Sequence, residues 1–281
     1  DFMGFTGAVP GLQTPGMDKM AREGAHVKNA FVTTALCSPS RASILTGQYA
    51  HTHTVVDNSA PLPNNLTFYP QYLQKNGYKT AFLGKWHMGN TGDTPQPGFD
   101  EWVSFEGQGQ YFGNTLNVNG KREKLDSDNY ITDELTTRAE KWISTVKDKP
   151  FAMYLSHKGV HAEFMPAKRH QGKYKDLPVI SPQSMYLTVT DSSKQFGVVT
   201  PPKSTVNYKD IPRWVRDQRY SWHGVDYMYH GQIPFDEFYH LYLETLLAVE
   251  ESIQSVIKWV EDSGLKENTM TPTTSPLSAE A

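Results

Sequence analysis

The chain is nearly without cysteine, with one residue, Cys37, in 281. An internal disulfide framework is therefore excluded, and cysteine usage gives no reading of compartment. An excess of one charge sign is also missing. Lys plus Arg number 27 against 30 Asp plus Glu, a formal net charge of -3. No nucleic-acid partner is expected from this balance, although a local basic pocket is compatible with it. No apolar run approaches the roughly 20 residues of a spanning helix, so no membrane span is expected. The chain starts at Asp1 rather than Met, and no charged-then-apolar leader follows. Any signal segment or first strand is expected upstream. At the other end TPTTSPLSAEA, residues 271-281, has no apolar periodicity and reads as a disordered tail.

What remains is ordinary globular composition, 38% hydrophobic and 20% charged. The length suits one large α/β domain or two small ones. TPGMDKMAREG predicts a helix with Thr14 as N-cap, Pro15 at the first position and Gly24 at the end. VKNAFVTT, from Val27 to Thr34, predicts a short strand, and SRASILTGQ a helix after the cysteine. LTFYPQYLQKNG predicts a helix ending at Gly77, then YKTAFLGK a strand from Tyr78 to Lys85. Gly98 to Leu125 is rich in glycine and aromatics, with a hairpin turn at Asn119-Gly120. ITDELTTRAEKWISTVK predicts an amphipathic helix, Phe151 to Ser156 a strand, and Phe235 to Gly264 a long helix. Met165 to Ile233 has no clean periodicity, and residues 157-233 are read as a largely irregular insert.

Short β-rich runs alternating with helices imply βαβ units and a mostly parallel sheet flanked by helices. Ligands bind such sheets outside the carboxyl ends of the strands. Three predicted strands deliver reactive groups there: Cys37 with Arg41, Lys85 with His87, and His157 with His161.

A lone cysteine is usually a buried structural thiol. Cys37, however, follows a predicted strand, begins CSPSRASILTG and precedes a helix, a setting that favours thiolate. A cysteine-dependent phosphatase needs an arginine six positions on, where this chain has Ser43. A papain-like signature is absent. A P-loop fails because Gly84-Lys85 is followed by Trp86.

CSPSRASILTG resembles the first signature of the type I, formylglycine-dependent sulfatases, and GYKTAFLGKWHMG, Gly77 to Gly89, resembles the second. PGFDEW, SHKGVHAEF, LETLLAVEESI and GLKENTM resemble further stretches, so the likeness runs from about Gly11 to Met270. The resemblance implies an α/β sandwich like that of alkaline phosphatase, incomplete here, with residues 1-270 as part of a catalytic domain. It implies a sulfuric ester hydrolase that cleaves sulfate monoesters, with a sulfated carbohydrate preferred over a small aryl sulfate. A modifying enzyme would read Cys37, Pro39 and Arg41 and oxidise Cys37 to formylglycine. The hydrated aldehyde offers one hydroxyl to attack sulfur and a second whose deprotonation expels sulfate, an exit that serine or thiol lacks.

The resemblance also implies roles by position. Arg41 would hold the nucleophile, and Lys85 would bind sulfate oxygens as a point charge. His87 would be the base that releases sulfate. His161 matches the histidine near the leaving group, with His157 as its alternative and a substrate-binding candidate. His157 and His161 have the spacing of a helical zinc pair, but Lys158 and Gly159 intervene and no acidic third ligand follows. His51 and His53 are further substrate-binding candidates, with a polar turn as the ordinary alternative. Trp102, Trp214 and Trp222 offer stacking surfaces for sugar rings or else belong to the core. Asn65-Leu66-Thr67 is a glycosylation sequon, meaningful in a secreted eukaryotic protein.

The family binds one divalent cation, usually calcium, in which formylglycine from Cys37 is one ligand. Its other ligands, an Asp-Asp pair and a later Asp with Asn or His, are expected before Asp1 and after Met270. A marked activity defect is then expected of this chain alone. The family's usual settings are periplasmic, extracellular or lysosomal. Two alternatives stay open: a catalytically inactive sulfatase-like fragment, and a phosphoester hydrolase of the same superfamily.

Overall fold

The computed structural model describes residues 2-89, 92-180 and 235-274. The helices among them are α1 (Pro15–Glu23), α2 (Cys37–Thr46), α3 (Ala50–His53), α4 (Tyr69–Lys75), α5 (Ile131–Val146) and α6 (Phe235–Asp262). The strands are β1 (Lys79–Lys85), β2 (Glu101–Phe105), β3 (Thr115–Val118), β4 (Lys121–Lys124) and β5 (Phe151–Ser156). They form one sheet in the order β4-β3-β2-β1-β5. β1 runs parallel to both of its neighbours, β2 and β5, whereas β3 and β4 add an antiparallel hairpin. The sheet is thus mixed. Its parallel part is the part that carries Lys85.

β1, with the sequence KTAFLGK, is the central strand of the parallel part. A strand flanked by parallel neighbours is covered on both faces, and every β1 residue from Thr80 on is buried. Side chains alternate between the faces. Ala81 and Leu83 join Val103, Phe105 and Leu116 against Ile131, Leu135 and Ala139 of α5 and Ala248 of α6. Phe82 turns the other way, to Trp86, Trp102, Phe68, and Ala42 and Leu45 of α2. Helices therefore cover both faces. Trp102 lies in this second core, stacked on Phe82 at 4.8 Å with its indole N–H donated to the Asp93 carbonyl, so its ring is not a sugar platform. Trp214 and Trp222 lie outside the described residues.

Most predicted elements appear near their expected bounds. Asn119 and Gly120 have φ of 51° and 89° and make the two-residue turn between β3 and β4. VKNAFVTT is the clear exception. It is irregular, and Val27 and Phe31 are 68% and 89% exposed. β-rich composition describes fitness for a pleated, half-buried surface. No strand among the described residues offers this run a ladder, so composition alone does not make it extended. β2 was the converse case. Its residues, EWVSF, gain their strand from β1 and β3 on either side. Of the expected irregular insert, residues 157-180 contain only turns and irregular backbone, and 181-233 lie outside the described residues, as does the expected tail beyond 274.

α6 carries buried carboxylates that hold its surroundings. Glu250 accepts the amides of Gly16 and Met17 in the first turn of α1, supplying a negative charge where that helix has unpaired donors. Glu244 accepts those of Gly172 and Tyr174.

β1 and β5 close most tightly at Gly84. Its φ is 119°, and a Cβ there would stand 1.8 Å from the Ser156 carbonyl oxygen. Both the backbone conformation and the space demand glycine. Gly84→Ala is expected to lower stability by about 3 kcal/mol or more, measured by urea unfolding; a loss under about 1 kcal/mol would contradict this packing.

Candidate active site

The site is built where β1, β5 and α2 meet, at the carboxyl end of the parallel strands. Cys37 is the first residue of α2 and is fully buried. The neighbouring Ser38 amide donates to Asn58 Oδ1 at 3.0 Å, and the Ser38 hydroxyl donates to the His87 carbonyl at 2.6 Å. These bonds fix the helix start against the segment after β1.

β1 delivers Lys85 into the interior. Its ammonium donates to the Cys37 sulfur at 3.3 Å, and the whole residue is buried. A cation and a helix N-terminus together favour thiolate over thiol. Arg41, one turn further along α2, reaches back under the site. One terminal nitrogen donates to the Lys85 carbonyl at 2.5 Å and to Ser156 Oγ at 2.6 Å. The Ser156 hydroxyl donates to the same Lys85 carbonyl at 3.0 Å. Arg41 Nε is buried and has no hydrogen-bond partner among the described residues. An unfilled guanidinium donor beside a buried ammonium favours an anionic guest.

His87 follows Lys85 by two residues and is buried, with φ of 46°. This left-handed backbone in a non-glycine residue is held by the bond from Ser38 to its carbonyl. His161 is also buried. Its main chain is clasped by the Tyr111 phenol, which donates to the His161 carbonyl at 2.7 Å and accepts its amide at 3.1 Å. Its Nδ1 lies 2.6 Å from the Ala162 carbonyl.

The other histidines are placed differently. His157 turns to α6, with Nε2 3.0 Å from Ser252 Oγ, and burial pulls its pKa down to about 4 against a smaller opposing effect of Asp133. His53 is fully buried: its Nδ1 accepts the Val55 amide at 3.1 Å, so Nε2 carries the proton and donates to Ser43 Oγ at 3.0 Å. Burial lowers its pKa as well. His51 is exposed and stacks on Tyr49 at 5.8 Å. The structure therefore gathers Cys37, Arg41 and Lys85 directly, brings in His87 through Ser38, and engages His53 and His157 in internal bonds.

Sequence reasoning missed Ser156, Tyr111 and Lys158. Lys158 is buried, donates to the Gln108 carbonyl at 3.2 Å, and lies 4.7 Å from the centre of the Tyr111 ring. Burial draws its pKa down to about 8, opposed by the charges of Glu163 and Cys37. Its place between two histidines was its only visible mark. The helical zinc spacing has no basis here, since residues 157-161 are not helical. Among the described residues no group of three or more His, Cys, Asp or Glu is arranged to hold a metal ion. Lys85, which donates to Cys37, is cationic. These residues alone do not fit a calcium ion, which needs several oxygen ligands.

The protein-family model "Sulfatase" matches residues 1-275. An N-acetylglucosamine-6-O-sulfatase from Bacteroides thetaiotaomicron is 30% identical over 299 residues, covering 92% of this chain and 52% of that protein. The N-acetylglucosamine-6-sulfatase of Homo sapiens is 26% identical over 269 residues, covering 88% and 44%. Among solved structures, BT4656 in complex with its substrate D-glucosamine-2-N,6-O-disulfate has a TM-score of 0.69 and 29% identity, covering 95% of this chain and 60% of that one. The chain thus spans about half the length of the curated relatives it matches.

The histidine buried neutral has a pH consequence. Because the folded pKa of His157 lies below the unfolded value of about 6.5, its contribution is complete above that pH and is lost as pH falls toward 4. Urea unfolding of the wild-type chain and His157→Gln is expected to show about 3 kcal/mol more acid loss in the wild type across this window. Parallel pH profiles would contradict a neutral, buried His157.

Proposed function

The chain belongs to the sulfatase family, and from that premise we propose that it carries the nucleophile side of a site hydrolysing sulfate monoesters on a sulfated carbohydrate. The architecture is the α/β sheet-and-helix fold of the alkaline-phosphatase-like sulfatases. The observation that carries the proposal is the buried Cys37 beside Lys85 at 3.3 Å, within the sequence Cys37-Ser38-Pro39-Ser40-Arg41. The carbohydrate is favoured because relatives named as N-acetylglucosamine-6-sulfatases align over most of the chain.

Cys37 is the residue that a formylglycine-generating enzyme would modify, and the modified side chain would supply a hydrated aldehyde as nucleophile. Lys85, desolvated and fixed at the strand end, would bind the sulfate oxygens. Arg41 would hold the nucleophile from below while its contacts to the Lys85 carbonyl and Ser156 keep it aimed. His87 would accept the proton whose removal frees sulfate, and His161 would donate one to the leaving alcohol. His157 and His53, occupied by Ser252 and by Ser43 with Val55, are better suited to support than to substrate contact. The family's calcium would raise the affinity for sulfate charge, but its oxygen ligands would have to come from outside the described residues. We also take residues 1-270 as part of one catalytic domain, with 157-233 as its insert.

Sulfate release from N-acetylglucosamine-6-sulfate, measured with calcium in a protein that also carries the family's metal-ligand segments, tests the proposal. Turnover is expected to vanish in Cys37→Ala. In His87→Ala it is expected to fall by about 10²–10⁴ in kcat, with a smaller change in KM. Turnover unaffected by Cys37→Ala would contradict the assignment of the nucleophile. A chain bearing the aldehyde that releases no sulfate would favour the non-catalytic reading.

A further inference from the structure

We propose that Lys158 is a second ammonium of the anion site, mounted on the Tyr111 ring to hold the sulfate group together with Lys85. The inference rests on the sulfatase reading for the identity of the anion and on geometry for the residue. Lys158 follows Ser156 by two positions, just past the end of β5, and Ser156 contacts both Arg41 and the Lys85 carbonyl. The chain thus leaves the floor of the site and two residues on buries a cation close enough to Cys37 for the two charges to act on each other.

That cation is poorly compensated. Lys158 is 5% exposed. Its polar partner is a neutral carbonyl, that of Gln108, and its other support is the face of Tyr111. No ion pair joins it to a carboxylate among the described residues. Glu163 acts on it only through space, from an exposed position. A buried ammonium with one carbonyl and a ring face has lost most of its hydration without gaining an opposite charge. The group whose charge does reach it from within the site is Cys37. Arg41 and Lys85 on the floor of the site, with Lys158 coupled to Cys37 through space, thus bring three cationic side chains toward one end of the sheet.

Tyr111 explains why Lys158 stays there. Its ring supports the ammonium at 4.7 Å, a cation–π arrangement. Its hydroxyl holds both main-chain polar groups of His161. One fully buried side chain thus sets the position of a cation and a histidine on the same loop. A lysine serving only the fold would be expected at the rim, with its head in water. Here the head is inside and no carboxylate among the described residues pairs with it, which is the arrangement of a site awaiting an anionic guest.

The experiment uses inorganic sulfate and the full 281-residue chain, with chloride matching the ionic strength. Calorimetric binding of sulfate is measured for the wild type, Lys158→Met and Lys85→Met. Both variants are expected to bind sulfate about tenfold more weakly or worse. Lys158→Met is expected to keep or raise the unfolding midpoint, since it removes a buried charge of poor compensation. Weakening in Lys85→Met but not in Lys158→Met would overturn the role of Lys158 and leave the sulfatase reading intact. Lys158-dependent binding in a chain without turnover would do the reverse. A wild-type chain that binds no sulfate would overturn the inference. A second readout needs no variant: sulfate is expected to slow acetylation of Lys158 by N-hydroxysuccinimidyl acetate, followed by peptide mass spectrometry. Equal labelling with sulfate and with chloride would count against it.

Discussion

The contact between the Lys85 ammonium and the Cys37 sulfur, 3.3 Å in a fully buried setting, is the interaction on which the rest of the site depends. An ammonium taken out of water is unfavourable unless a partner meets it. The sulfur meets it only because the end of β1 stands over the first turn of α2. That placement needs β5 to approach β1 within backbone contact, which a glycine at position 84 permits. It also needs the Lys85 carbonyl to be held, and Arg41 and Ser156 both donate to it. The residues that would handle the anion thus also hold one another in place.

The scaffold supports this with two cores of different make-up. Aromatic rings, Phe82, Trp86 and Trp102, fill the face that carries α2. Aliphatic groups mixed with Phe105, Tyr111 and Tyr130 fill the face that packs α5 and α6. α6 then ties down distant segments through Glu244 and Glu250, whose buried carboxylates each accept two backbone amides. Such bonds satisfy the carboxylates without a cation, whereas at the site Lys85 meets a sulfur and Arg41 a carbonyl and a hydroxyl. Among the described residues, then, the buried carboxylates of α6 and the buried cations of the site are satisfied in different ways.

Much of this was legible in the sequence, for identifiable reasons. Pro15 and Gly24 bracket α1, Asn119-Gly120 turns the hairpin, and Tyr78 to Lys85 was read as the strand that β1 proves to be. Cys37, Arg41, Lys85 and His87 were visible because two compact motifs hold them. Other features depend on partners remote in sequence. Val27 to Thr34 has the composition of a strand but no ladder among the described residues. Glu101 to Phe105 lacks a strong pattern, yet β1 and β3 make it a strand. Tyr111 lies 50 positions from His161, the residue it clasps, and no local pattern reports such a distance. Lys158 was hidden in the same way, since a lysine is ordinarily a surface residue and only burial marks this one. The histidines divide on the same principle: whether a ring faces a guest or a neighbouring serine is decided by packing.

The central claim is that Cys37 is a nucleophile precursor rather than a core thiol. Peptide mass spectrometry of the fragment containing Cys37, with an aldehyde-trapping probe, addresses it directly in protein produced by a host that modifies other sulfatases. The account expects formylglycine at position 37, about 18 Da lighter than cysteine and captured by the probe. A plain, unmodified thiol in that host would contradict it.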